Sequence, residues 1–207
     1  MAAHPATLLN VIATHVADRG EGRAIRVASV LFITVLTAAA AQISFPLPFT
    51  QVPFTFQPMV VLVGGLVLGS RLGFASQVLY LAAGIAGLPV FAASITLPPG
   101  FLRLLGPTGG YLMAYPVAAF VVGALAERGF ARRYVTSVAA MLVGLTIIYA
   151  AGTVWLAYFA RLATGSVAVG IAAALTSGVY PFVVADLLKL AAAAGITPGL
   201  WRFLGAR

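Results

Sequence analysis

The chain has 207 residues, of which 62% are hydrophobic and 8% charged, whereas an average soluble domain has about 45–50% apolar and about 25% charged residues. This composition indicates a membrane protein. The formal net charge of +8 comes from scattered basic residues and not from a basic face interleaved with aromatics, so it does not predict a nucleic-acid partner. The absence of cysteine excludes disulfides, thiolate catalysis and cysteine-bound metals.

The N-terminal residues predict a tail at the membrane surface. A short amphipathic helix lying on the bilayer is indicated by the helical spacing of Leu8, Leu9, Ile12 and Val16. A cleaved signal peptide has its basic residues first, whereas here the apolar residues precede Arg19, Arg23 and Arg26. We therefore expect residues 1–25 to form an amphipathic cytoplasmic tail.

Beyond the tail, the sequence predicts six membrane-spanning helices, each needing about 20 apolar residues. The first long charge-free run is broken into two helices by Pro46, Pro48, Pro53 and Pro58. The predicted helices cover residues 27–43, 56–69, 72–88, 108–125, 134–158 and 181–199. This pattern predicts an all-α integral membrane protein, with a six-helix membrane domain over residues 26–200 and a cytoplasmic C-terminal tail over 201–207.

Two apolar segments are too short to be ordinary spans. The helix over 56–69 follows the proline-rich "FTQVPFTFQP" (49–58), and such segments in membrane bundles either line a cavity or form a re-entrant connection. Both interpretations stay open. Residues 166–177 end close to Gly178 and Pro181, which predicts a short helix or lid before the last span and not a seventh crossing.

The arginines predict the orientation of the bundle. Cytoplasmic segments of membrane proteins are enriched in Lys and Arg, and six crossings place both termini on one side. With cytoplasmic termini, nine of the twelve basic residues lie in inner segments, Lys189 lies within a helix, and the outer loops hold Arg103 and Arg161. The loops over 44–55, 89–107 and 159–180 then gather on the outer face, where we expect the protein to meet its ligand.

An acidic and a basic residue lie three positions apart in the apolar segment "YPFVVADLLKLAAAAG" (180–195). Asp186 and Lys189 share one face of a helix and are close enough to pair. A charge within a span costs about 2.5–3.5 kcal/mol, which favours a functional role over simple mutual neutralisation. Counted from Pro181 at the outer boundary, the pair is about one to two turns deep. This depth favours a pocket reached from outside over a midplane proton relay.

Further polar and aromatic residues are candidates for the same pocket. Gln51 and Gln57 flank the second helix, and "GPTGGYL" (106–112) opens the fourth, where free backbone N–H groups are able to hold an anion. The same motif is also typical of an ordinary turn and helix start, and no Gly-Lys-Ser/Thr follows it as in a phosphate loop. Tyr111 and Trp155 either stack on a ligand ring or belong to the aromatic belt at the membrane boundary.

Five segments, in this order, resemble the motifs of the BioY family: "PLPFTQVPFTFQ", "GLVLGSRLG", "YLAAGIAGLPVFA", "LLGPTGGYL" and "YPFVVADLLKLA". The resemblance covers most of the chain from about Ala38 to Gly195. Members of this family are the substrate-binding S components of biotin transporters of the energy-coupling factor (ECF) type. The resemblance implies high-affinity binding of biotin and its uptake across the bacterial cytoplasmic membrane, with no enzymatic reaction, no cofactor and no metal.

The D-x-x-K motif of the family falls on Asp186 and Lys189, so the resemblance implies that both contact biotin. An aspartate accepts hydrogen bonds from the ureido N–H groups of biotin, and a lysine donates to the ureido carbonyl or to the carboxylate. Further candidate substrate-binding positions are Gln57, Thr108, Gly109, Gly110, Tyr111 and Trp155. The family often has Pro-Gly before the aspartate, where this chain has Val184 and Ala185. This difference affects backbone shape more than chemistry.

The resemblance also implies protein partners. A T component in the membrane and two ABC-type ATPases normally complete such a transporter, although some members are thought to work without them. S components contact the T component through small residues of the first helix in an Ala-x-x-x-Ala pattern. Ala24 and Ala28 have that spacing, and Thr34 and Ala38 nearly have it. The chain has no nucleotide-binding motif, as expected if ATP is hydrolysed by a partner.

Other functions were weighed against this one. An intramembrane enzyme needs a nucleophile with a base, or a metal cluster. The predicted bundle contains one carboxylate, Asp186, while the tail or cytoplasmic segments hold His4, His15, Glu21 and Glu127. Two transport alternatives stay open, namely an S component for another small vitamin and a stand-alone proton-coupled transporter with Asp186 as the proton carrier.

Overall fold

The computed structural model describes residues 7–9, 21–94, 97–164 and 167–203. The helices are, in chain order, α1 (Glu21–Gln42), α2 (Gln57–Leu68), α3 (Ser70–Ile85), α4 (Leu102–Leu105), α5 (Gly109–Glu127), α6 (Tyr134–Thr164), α7 (Val167–Gly178), α8 (Tyr180–Ala193) and α9 (Ile196–Phe203). A hairpin of two short strands, β1 (Ser44–Phe45) and β2 (Phe54–Thr55), connects α1 to α2. The predicted helical architecture is confirmed, and the hairpin is an addition to it.

Four stretches of the described residues are long and apolar enough to cross a membrane, namely Gly22–Gln42, Gly109–Glu127, Tyr134–Phe159 and Tyr180–Phe203. α2 has 12 residues and α3 has 16. At about 1.5 Å per residue, each is shorter than a hydrocarbon core of about 30 Å. The chain therefore has several candidate spans, and the count of six crossings stays a prediction. α7, with 12 residues, confirms the short helix predicted before the last span.

The segment predicted as one helix over 181–199 is two helices. α8 ends at Ala193 and α9 begins at Ile196, so the prediction of one continuous helix is wrong. Gly195 lies in the turn between them, where its low helix propensity favours a break. α9 extends into the predicted C-terminal tail, and its Trp201 is buried, with the guanidinium carbon of Arg132 5.0 Å from the centre of the indole ring.

α5 packs against α2, α3 and α6. These contacts are made largely by small residues. A Cβ atom added at Gly65 of α2 would lie 2.7 Å from the carbonyl oxygen of Ala119, and one added at Gly144 of α6 would overlap Val122. Small side chains thus allow these helix backbones to approach closely, as is typical of helix association in lipid.

The hairpin between α1 and α2 lies against α8. Its strands are antiparallel, with Ser44 opposite Thr55 and Phe45 opposite Phe54. The prolines of the connecting loop prevent α1 from continuing through this segment. Phe54 stacks on Phe182 of α8, with 6.4 Å between ring centres and 20° between the planes. The hairpin is therefore placed beside the predicted ligand-binding residues.

The described part of the N-terminal tail, residues 7–9, is buried in the protein. Leu8 and Leu9 are 0% and 3% exposed, and Leu9 packs against Ile33 of α1 and Leu68 of α2. Contrary to the prediction, both leucines are buried in the protein, and Leu9 lies in an apolar site between α1 and α2. The other residues of the predicted surface helix, Ile12 and Val16, lie outside the described residues.

Candidate functional site

Asp186 and Lys189 form a buried ion pair on one face of α8. The ammonium of Lys189 donates a hydrogen bond to Asp186 Oδ1 over 2.8 Å, and the two side chains are 8% (Lys189) and 6% (Asp186) exposed. The pairing predicted from the spacing is confirmed. Each charge offsets part of the cost of burying the other, so removal of one partner would leave an uncompensated charge in the bundle.

Lys189 also binds the hairpin. Its Nζ atom donates a hydrogen bond to the carbonyl oxygen of Thr55 over 2.7 Å and lies 3.6 Å from the centre of the Phe54 ring. The ring of Phe56 is 5.0 Å away. Aromatic faces attract a cation, and the attraction is stronger where water is excluded. Lys189 therefore holds the hairpin and its aromatic side chains against α8.

Asp186 has a second partner that the sequence analysis missed. The hydroxyl of Tyr149 on α6 donates to Asp186 Oδ2 over 2.6 Å. Tyr149, Asp186, Lys189 and Thr55 thus form one hydrogen-bonded chain that connects α6, α8 and β2. A tyrosine within the apolar run 134–160 is a signal for a buried polar group, but Tyr149 and Asp186 are 37 positions apart and no spacing rule relates them.

Gln57, a predicted site residue, begins α2 next to the hairpin and is buried. Its side-chain Nε2 donates to the hydroxyl of Tyr80 on α3 over 2.6 Å, and this hydroxyl donates to the carbonyl oxygen of Val90 over 3.2 Å. Gln57 therefore links the end of the hairpin to the loop that follows α3. Gln51, the other glutamine considered, is exposed.

Tyr111 and Trp155 bond to backbone carbonyls at the ends of helices. The Tyr111 hydroxyl donates to Gly178 at the end of α7 over 2.9 Å, and Trp155 Nε1 donates to Gly106 before α5 over 2.8 Å. Within the described part of the chain, no hydrogen bond joins either side chain to the Asp186–Lys189 pair. Their observed role is to tie α5 and α6 to the neighbouring connections.

The glycine motif before α5 is a tightly packed helix start. Thr108 occupies the position before the helix and is half-buried, and its side chain makes no capping hydrogen bond. A Cβ atom added at Gly109 would overlap the backbone of Leu104, and one added at Gly110 would overlap Trp155. Packing alone therefore requires glycine at both positions, and ligand contact by this motif stays a prediction.

A protein-family model described as "BioY family" matches residues 13–206 of the chain. The chain belongs to the BioY family. The family resemblance of the five sequence segments is thereby confirmed, and BioY-family proteins are transporters and not enzymes.

Curated BioY relatives are similar to this chain over most of its length. The probable biotin transporter BioY of Pyrococcus horikoshii is 42% identical over 171 residues, which cover 83% of this chain and 93% of that protein. The biotin transporter BioY of Thermotoga maritima is 38% identical over 161 residues, covering 78% of this chain and 86% of that protein.

The fold of this BioY-family chain is that of a solved S-component. The crystal structure of the S-component for biotin from an ECF-type ABC transporter superposes with a TM-score of 0.75 at 22% sequence identity. The match covers 90% of this chain and 95% of that structure, so it extends over nearly the whole bundle.

The predicted partner-contact residues of this BioY-family chain differ in exposure. Ala24 and Ala28 are exposed on α1. Thr34 is buried and its hydroxyl donates to the carbonyl oxygens of Val30 and Ser76, both over 2.9 Å, so it faces α3. Ala38 is half-buried and packs against the bundle core. Contact of any of the four residues with a T component stays a prediction.

Proposed function

We propose that this chain binds biotin with high affinity from the outer face of the membrane and takes it up as the S component of an ECF-type transporter. The observation that carries the proposal is the buried Asp186–Lys189 pair, which lies at the D-x-x-K motif of a BioY-family chain beneath an aromatic hairpin. The two relatives named as biotin transporters and the fold shared with a biotin S-component support it.

The chemical groups of biotin match this site. Asp186 accepts hydrogen bonds from the ureido N–H groups, and Lys189 donates to the ureido carbonyl or to the carboxylate. The thiophane ring is apolar, and the stacked rings of Phe54 and Phe182 supply apolar surface beside Lys189. Gln57, Thr108, Gly109, Gly110, Tyr111 and Trp155 remain further proposed positions around this centre.

Ligand binding here requires an exchange of partners. Lys189 and both carboxylate oxygens of Asp186 are already hydrogen-bonded within the protein. The Thr55 carbonyl lies on a strand of two residues, which adds few backbone hydrogen bonds to hold it in place. We expect the acceptor oxygen of biotin to replace this carbonyl at Lys189 and to move the hairpin away from α8.

The proposed transporter crosses the bacterial cytoplasmic membrane six times, with both termini in the cytoplasm. The contact between Ser70 and Glu127 supports this count. Glu127 ends the candidate span α5, and its Oε1 accepts hydrogen bonds from the backbone N and the hydroxyl of Ser70, both over 2.8 Å. The α2–α3 junction therefore lies at the same end as the C-terminus of α5, so α2 and α3 run between the two ends of the bundle although they are short.

The proposed partners are a T component, bound through Ala24 and Ala28 of α1, and two ABC-type ATPases that supply the energy. Both alanines are exposed, which is the condition for such a contact.

Calorimetric titration of the detergent-purified chain with biotin, thiamine and riboflavin tests the substrate. We expect biotin to bind in the nanomolar range and the other two vitamins not to bind. Asp186→Asn and Lys189→Ala should each weaken biotin binding about 10- to 100-fold, which is the loss expected for one charged hydrogen bond. A monodisperse protein that does not bind biotin would contradict the proposal, and Asp186 would then be tested as a proton carrier.

A further inference from the structure

The connection between the candidate spans α5 and α6 carries three arginines, and α9 adds a fourth. All four are exposed and are called here the arginine cluster, namely Arg128, Arg132, Arg133 and Arg202. Among the residues that the structure describes, none of their guanidinium groups forms a hydrogen bond or an ion pair. Glu127, the one carboxylate of the segment 127–133, offsets at most one of the four charges. The cluster therefore favours an anionic ligand.

Packing holds α9 against this connection. The guanidinium carbon of Arg132 lies 5.0 Å from the centre of the buried Trp201 ring, and Trp201 directly precedes Arg202 in α9. The hydroxyls of Thr197 and Ser137 are hydrogen-bonded over 3.3 Å, which ties α9 to α6. A guanidinium that stacks on an aromatic face keeps the N–H groups at its edge free to donate. Arg132 is therefore held in place and is still able to bind an anion.

Exposed apolar side chains adjoin the arginine cluster on both elements. In α6, Tyr134 and Val135 directly follow the arginines of the connection and are 47% and 76% exposed. In α9, Ile196, Leu200 and Phe203 are exposed, and their spacing of four and three residues places them on one face of the helix. Charges followed at once by exposed apolar side chains are typical of a membrane boundary, where headgroups meet acyl chains. A soluble anion matches the arginines alone, whereas a lipid matches both surfaces.

We propose that the arginine cluster binds an anionic phospholipid, with the phosphate at the arginines and the acyl chains against the exposed apolar residues of α6 and α9. A guanidinium binds a phosphate through two parallel hydrogen bonds, which the free edges of these side chains allow. The connection starts directly after the candidate span α5 and ends where α6 begins, so the cluster lies at the depth of the lipid headgroups. The inference does not depend on which ligand the chain transports.

Native mass spectrometry of the delipidated, detergent-purified chain tests this site, because it counts the lipid molecules bound to each protein. The probes are phosphatidylglycerol, which is anionic, and phosphatidylcholine with the same acyl chains, which has no net charge. The double variant Arg133→Gln, Arg202→Gln removes two charges and keeps the stacked Arg132. Its matched control, Arg23→Gln, Arg26→Gln, removes two exposed charges at the start of α1. Both pairs lie on the predicted cytoplasmic side.

We expect the wild type to bind phosphatidylglycerol more tightly than phosphatidylcholine. In Arg133→Gln, Arg202→Gln the first phosphatidylglycerol should bind about 10- to 30-fold more weakly, which is the loss expected for two arginines near a lipid surface. Arg133→Lys, Arg202→Lys should restore part of this affinity, because the charge returns without the planar guanidinium. The control pair should bind phosphatidylglycerol as the wild type does, and phosphatidylcholine should bind equally to all variants.

Four results would overturn the lipid site. The first is equal binding of phosphatidylglycerol by the wild type and by Arg133→Gln, Arg202→Gln, and the second is an equal loss in the control pair. Displacement of the lipid by inorganic phosphate at the same concentration would identify a site for a free anion, and wild-type dimers that the double variant lacks would identify an interface between copies. If the double variant also unfolds at a lower temperature without added lipid, the arginines act through the fold and the site is rejected.

Discussion

The hydroxyl of Tyr149 donates a hydrogen bond of 2.6 Å to Asp186 and thereby joins α6 to α8 at the centre of the proposed binding site. Lys189 binds the other oxygen of the same carboxylate. The carboxylate is therefore held from two sides, and its orientation depends on a helix that the D-x-x-K motif does not include.

We predict that Tyr149→Phe weakens biotin binding about 10-fold, because it removes one hydrogen bond to a charged group and leaves the ring in place. Calorimetric titration measures the effect. Tyr158→Phe is the matched control, because it removes the same hydroxyl group from a tyrosine of the same helix. Tyr158 is 54% exposed. Equal affinities in Tyr149→Phe and wild type would show that the hydrogen bond does not contribute to binding.

The buried pair makes a prediction about stability. Lys189→Met leaves the Asp186 charge with Tyr149 as its remaining hydrogen-bond partner, and Asp186→Asn leaves the Lys189 charge beside the hairpin. Breaking a buried pair costs about 3–5 kcal/mol, whereas replacing both charges costs much less. We expect the double variant Asp186→Asn, Lys189→Met to unfold at a higher temperature than either single variant.

The wild type, the two single variants and the double variant are heated in the same detergent. Their unfolding temperatures are measured from the loss of monodisperse protein. Additive losses in the double variant would mean that the two charges do not compensate each other in the folded bundle.

Local sequence patterns predicted the features that depend on residues close together in the chain. The spacing of Asp186 and Lys189 predicts their pairing within one helix, and the prolines of 46–58 predict the break between α1 and α2. The contacts of Lys189 with Thr55 and of Asp186 with Tyr149 join residues 134 and 37 positions apart. Such contacts follow from the packing of whole helices, which no periodicity describes.

The errors of the sequence analysis have a common physical origin. Leu8 and Leu9 have the spacing of a membrane-surface helix, but burial in protein removes apolar side chains from water just as contact with lipid does. Both leucines are buried in the protein, Leu9 against Ile33 of α1 and Leu68 of α2. The break at Gly195 was missed because apolar residues continue on both sides of it, although the helix propensity of glycine is low.

Tight packing around Tyr111 gives a third prediction. A Cβ atom added at Gly152 of α6 would overlap the Tyr111 ring, so Gly152→Ala should lower the free energy of unfolding by about 1–3 kcal/mol through overpacking. Gly199→Ala in α9 is the control, because nothing lies within 4 Å of the added atom, and there the better helix propensity of alanine makes the change neutral or stabilising. A stable Gly152→Ala protein would show that Tyr111 is free to move.

The last prediction concerns the number of crossings, and the absence of cysteine makes it directly testable. Single cysteines are introduced at Pro98, Arg133 and Arg71, all of which are exposed. A membrane-impermeant maleimide applied to intact cells should label Pro98→Cys in the outer loop. Arg133→Cys, between the candidate spans α5 and α6, should react only after the cells are opened.

Arg71→Cys distinguishes six crossings from four. With six crossings, the α2–α3 junction reaches the cytoplasm beside Glu127, so the cysteine is labelled only in opened cells, as at Arg133. If α2 and α3 form a re-entrant pair that stays on the outer side, the cysteine is labelled in intact cells. Because Ser70 is hydrogen-bonded to Glu127 at the end of α5, we expect the first result. Labelling of Arg71→Cys in intact cells would contradict both the six-helix count and this placement of the junction.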